Sequence, residues 1–116
     1  MCVDASGPLR ARADLNITGI RFENGDAQGS YIASRTGSTS MALYKDGSSL
    51  GTDSTEAAFL PVETFSIFAE HRGSGSFVDI STDQVASAFV GGGMDSTMAS
   101  AYHTAEAAYM TAVGAI

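Results

Sequence analysis

Basic residues are scarce in this chain. Among 116 residues there are six, Arg10, Arg12, Arg21, Arg35, Lys45 and Arg72, and they form no run. The formal net charge is -7. A phosphate backbone is repelled by such a field, which argues against nucleic acid as a partner. Cysteine is scarcer still. Cys2 stands alone, which excludes an intrachain disulfide and a cysteine-based metal site. Long apolar runs are lacking too. The most apolar stretch, near the C-terminus, carries Asp95, His103 and Glu106, so no membrane span is expected. The opening MCVDASGPLRARAD has no apolar core of the signal-peptide kind.

What the chain has is Gly, Ser, Thr and Ala, with 44% apolar residues and only 16% charged ones. That balance favours β-structure with many turns over a solvated helical bundle. Residues 1 to 13 read as an irregular lead-in broken at Gly7-Pro8. Residues 14 to 116 read as one domain. Leu15 to Phe22 reads as a strand, and Asn24-Gly25 after it is a hairpin signal. Gln28 to Thr36 follows, with Tyr31, Ala33 and Arg35 on one face and Ile32 and Ser34 on the other. Met41 to Lys45 sets Met41 and Leu43 on one face and Tyr44 on the other. Asp46-Gly47 turns the chain into a short strand at Ser49 to Asp53.

Glu63 to His71 alternates as a buried strand, and Phe77 to Ile80 as a short one. Gln84 to Val90 is apolar on both faces, which predicts a central strand. The period then changes. Met98, Tyr102, Ala105, Tyr109 and Ala112 step by four, three, four and three, which predicts a helix over about 96 to 113 packed by that stripe. Asp95 suits its N-cap and Gly114 its stop.

Candidate chemistry is sparse. Tyr31, Arg35, Tyr44, Phe68 and His71 are the side chains that would suit a saccharide, through aromatic rings, a guanidinium fork and an imidazole. Each also has an ordinary structural reading: Tyr44 beside a hairpin turn, Arg35 paired with a nearby acid, His71 ending a strand. His71 and His103 share no metal-binding spacing. No carboxylate pair, nucleophile elbow or phosphate loop is present, so no enzyme, cofactor or metal is expected.

Three segments together resemble a known family. They are YIASRTGSTSMALYKDGSSLGTDST (31 to 55), FSIFAEHRGSG (65 to 75) and QVASAFVGGGMDSTMASAYHTAEAAYMTAVGA (84 to 115). They resemble the C-terminal half of a laminin-G-like, concanavalin-A-like jelly-roll module, as found in phage virion proteins and bacterial secreted proteins. The resemblance implies an all-β, mainly antiparallel, shortened β-sandwich with one C-terminal helix. It also implies a non-enzymatic structural or adhesive role at a virion surface or outside the cell. The acidic catalytic motif of the family's glucanase relatives is missing. A shortened sandwich would leave an apolar face bearing Phe65, Ile67 and Phe89, so a second copy or a partner chain is expected to cover it. A carbohydrate-binding module is the alternative, with a glycan as ligand. A non-catalytic part of a polysaccharide-degrading enzyme is the third reading.

Overall fold

The computed structural model describes residues 2–4, 10–13, 20–23, 25, 28–56, 70–72, 76–78 and 85–116. Its centre is a three-stranded antiparallel meander, β4 (Tyr31–Gly37), β5 (Ser40–Lys45) and β6 (Ser48–Asp53). A second antiparallel sheet joins β1 (Cys2–Asp4), β2 (Arg10–Ala13) and β3 (Ile20–Glu23). A short pair, β7 (Glu70–Arg72) with β8 (Ser76–Val78), follows. The chain closes with α1 (Ser96–Ala112).

The meander forms where the sequence alternates. Ile32, Ser34 and Tyr44 are buried on one face, and Met41 and Leu43 on the other. Asp46 and Gly47 adopt φ of 50° and 75°, the positive values a two-residue type I′ hairpin needs. Asp46 has a second duty: its backbone N–H donates to the Ser30 carbonyl at 2.9 Å, and its carboxylate accepts from the Ser30 amide at 2.9 Å. A register shift between Leu43 and Tyr44 leaves Leu50 outside the ladder, and its side chain packs against Leu43.

Each face of the meander has its own cover. Phe22 from β3 packs against Leu43 with Tyr31, Ala33 and Leu50. Its ring lies so close over Gly51 that a Cβ there would collide with it. On the other face Ala99 of α1 and Met94 pack against Ile32 and Tyr44. Ser34 fixes that side. Its hydroxyl donates to the Met94 carbonyl and accepts from the Met94 amide, both at 2.6 Å. Ser34→Ala leaves both backbone groups without that partner, and we expect it to cost about 1–3 kcal/mol. Thermal unfolding reads the loss, and faster hydrogen exchange at the Met94 amide locates it.

Four expectations need correction. The lead-in over 1 to 13 contains strands β1 and β2, which pair with each other, β2 pairing in turn with β3. Asn24-Gly25 does not close a hairpin, because β3 and β4 lie in different sheets. The predicted central strand over 84 to 90 is irregular where described, from Val85 onward, with Val90 76% exposed. Its apolar residues serve the helix instead: Phe89 lies 4.3 Å from Tyr102 between ring centroids. Finally, the helix stripe does not face the sheet as a unit. Met98 and Tyr109 are 52% and 64% exposed, and Ala105 and Ala112 are exposed, while Ala99 and Met110 are buried. The helix approaches the β5–β6 turn too closely for a large stripe. A Cβ on Gly47 would sit 3.1 Å from the Ser100 Cα.

The strands expected at 15 to 22, 63 to 71 and 77 to 80 lie partly outside the described residues. Phe65, Ile67 and Phe68 lie wholly outside them. What the structure establishes is antiparallel sheet with one C-terminal helix.

Candidate functional site

The saccharide candidates fall on opposite sides of the meander. Tyr31 is half-buried on the Leu43 face, with the Lys45 ammonium 5.6 Å from its ring centroid. Arg35 shares that face, and its guanidinium donates to the carbonyls of Gly37 and Ser38 at 3.1 Å each. Those bonds brace the β4–β5 turn. Tyr44 lies on the other face, 5% exposed beneath α1, so its ring offers no platform while the helix is docked. His71 stands on β7 opposite Phe77. Tyr31 and Arg35 thus share a face of β4, four residues apart, and Tyr44 lies on the other face.

A groove of about 430 Å³ opens beside the β4–β5 turn, lined by Ser34, Thr36, Tyr44, Asp53 and Asp95 among others. Its polar groups serve the chain itself. Ser34 holds Met94, Asp53 accepts from the Thr55 amide at 2.6 Å, and Asp95 accepts from the Met98 amide at 2.8 Å as the helix N-cap. The Thr55 hydroxyl and then its amide hold the Asp53 carboxyl below its usual 3.8. That contribution to stability is present above the unfolded value and is lost as pH falls through the lowered one. Among the described residues no three His, Cys, Asp or Glu side chains gather as a metal site. Both carboxylates on its lining, Asp53 and Asp95, are thus engaged by backbone amides.

The helix presents a different kind of surface. Its residues repeat at seven: Met98, Ala105 and Ala112; Ala101 and Ala108; Tyr102 and Tyr109; Thr97, Thr104 and Thr111. In heptad terms the first two sets are a and d, and the threonines are g. All of these except Tyr102 are exposed. Phe89 and nearby Glu106 account for Tyr102. Burial first, and then the Glu106 charge, raise its phenol above the ordinary 10.0. That contribution is full below the unfolded value and is lost as pH rises through the raised one.

Glu106 is the one charged side chain in α1, and it turns inward. It accepts from the Ser30 hydroxyl and, at 2.7 Å, from the Ser87 hydroxyl. The outward seam is therefore without charge. Two of its threonines also satisfy their hydroxyls within the helix, Thr104 on the Ser100 carbonyl at 3.0 Å and Thr111 on the Ala107 carbonyl at 2.8 Å. A solvated helix ordinarily carries its charges on this side. The signal was present in the sequence as the pair MASAYHT and AEAAYMT, residues 98 to 104 and 105 to 111. Reading the helix for one buried stripe hides it, because the buried and exposed faces are both apolar.

His103 sits half-buried beside Gly47, and its Nδ1 is shut away without a hydrogen-bond partner. No helix among the described residues is long and apolar enough to cross a membrane. No protein-family description, curated protein or solved structure matches this chain.

Proposed function

We propose that this chain is a non-enzymatic structural module that joins an assembly through the outward face of α1. One observation carries the reading: that face is exposed, free of charge and repeated at seven over the length of the helix. An exposed helix face that carries no charge contributes little as a solvated surface and suits an element that packs on it. The groove beside the β4–β5 turn adds no chemistry, since its serine and carboxylates are committed to the fold.

The finer reading, a jelly-roll-like sandwich at a virion surface as a decoration or tail-associated part, rests on the sequence resemblance. A saccharide-binding role has less support, because Tyr44 is buried and parted from Tyr31 and Arg35.

Hydroxyl-radical footprinting tests the assembly reading without presuming a partner. Met98 and Tyr109 are both reactive and both exposed in the isolated chain. In the native particle or extract their oxidation is expected to slow by at least about fivefold relative to the purified protein, while Val90 is a reference outside the seam. Equal rates in both settings rule the reading out.

A further inference from the structure

We propose that the groove beside the β4–β5 turn binds a small protonated amine, held by the Tyr44 hydroxyl and the Asp53 and Asp95 carboxylates. The inference stands apart from the assembly reading, because the outward face of α1 takes no part in it.

The groove follows from the register of the meander. Ser34, Ala42 and Thr52 lie side by side across its three strands. Ala42 is the small residue in the middle of that row, and the depression over it is bordered by Met94, Asp95 and Ser96. Its volume of about 430 Å³ falls within the range of small-molecule sites.

Tyr44 supplies the observation that points to a ligand. It lines the groove and is 5% exposed, with Ile32 and Ala99 packed against it. Its hydroxyl is hydrogen-bonded by no group among the described residues, yet it is not sealed off as the His103 Nδ1 is. A buried phenol ordinarily has a partner. The groove is the side from which one can reach it.

Charge selects the class of ligand. Among the described residues on the lining none is Lys, Arg or His, and two are carboxylates. Thr55 keeps the Asp53 carboxyl ionised, through its hydroxyl first and its amide second. Asp95 gives one oxygen to the Met98 amide, and its second oxygen takes no bond from a described residue. An anion is repelled by this lining. An ammonium brings three donors and no acceptor, which matches carboxylate and phenol oxygens. The methylenes of an alkylamine suit Ala42 and Met94. A neutral sugar has less to gain. The Thr36 and Ser40 hydroxyls bond each other at 2.9 Å, and Ser34 is spent on Met94.

Titration of the isotope-labelled chain with 1,4-diaminobutane, followed by amide NMR shifts, tests this. Glucose and acetate are the neutral and anionic comparisons. The diamine should bind saturably with a dissociation constant of about 1 mM, as suits a small, open site. The shifts should gather at Thr36, Ala42, Thr52 and Ser96. Tyr44→Phe removes only the hydroxyl, and should weaken binding about three- to tenfold with the unfolding midpoint unchanged. Asp95→Asn keeps a side-chain oxygen for the Met98 amide but removes the charge, and should weaken binding by at least about fivefold. Diamine shifts that never saturate, or that are as large in Tyr44→Phe, would mean diffuse attraction to an acidic chain and overturn the inference. Tighter binding of glucose or acetate than of the diamine overturns it too. Neither result touches the assembly reading, which rests on the protection of Met98 and Tyr109.

Discussion

Leu43→Ala is expected to cost about 2–5 kcal/mol, a large part of what a small domain has to lose. Among the described residues, Leu43 ties the three strands of the meander to the second sheet. It is fully buried on the central strand β5, between β4 and β6. Phe22 reaches it from β3, Tyr31 and Ala33 from β4, and Leu50 from β6 through the register shift. Truncation removes the apolar contact and leaves a cavity. Phe22 cannot follow inward freely, because its ring already rests against Gly51. The methyl groups lost at Leu43 are therefore not replaced by collapse, which places the cost toward the upper part of the range. Urea unfolding of the variant measures it. A loss below about 1 kcal/mol would mean that the β1–β3 sheet does not cover this face.

The same residues show what the sequence could disclose. The meander was legible because its signals are local. Alternation assigned Ile32 and Ser34 to one face and Tyr31, Ala33 and Arg35 to the other, and the structure separates them so. Asp46-Gly47 announced its turn through backbone chemistry that needs no tertiary partner. Asp95 and Gly114 bounded the helix for the same reason, with the Asp95 side chain on the Met98 amide and Gly114 at φ 73°.

Where tertiary packing decided the outcome, local pattern misled. Val85 to Val90 has the composition of a buried strand. It instead runs against α1, where Ser87 bonds Glu106 and Phe89 stacks on Tyr102. Nothing in a run of apolar residues says whether a strand or a helix is their neighbour. The helix faces were inverted by an assumption about size. Large residues at helical spacing suggest a core stripe, yet a close approach to a sheet selects small ones. Ala99, fully buried between Ile32 and Tyr44, marks the contact. Among the candidate site residues, Tyr44 was placed on the correct strand face. The helix that buries it lies more than fifty positions on in the chain, beyond the reach of a local pattern.

Gly47→Ala isolates that close approach. Two separate penalties fall on one methyl group. The φ of 75° lies in the left-handed region, where a residue with a Cβ costs about 1–2 kcal/mol. The new Cβ would also stand 3.1 Å from the Ser100 Cα and 3.2 Å from the His103 Cβ, both anchored to α1. Relieving that contact means lifting the helix from the turn, an overpacking cost of about 1–3 kcal/mol. The expected total is about 2–5 kcal/mol. Two companions divide it. Gly47→Asn tolerates positive φ but carries the same Cβ, so it should recover only the backbone part. Gly25→Ala places its methyl in open space and should change the unfolding midpoint little. If Gly47→Asn were as stable as the wild type, the turn and the helix would not be in contact, and Asp46-Gly47 would be a hairpin corner alone. If it retains a loss of about 1 kcal/mol or more, the turn is also the seat of the helix. The depth of that seat then fixes which face of α1 points outward.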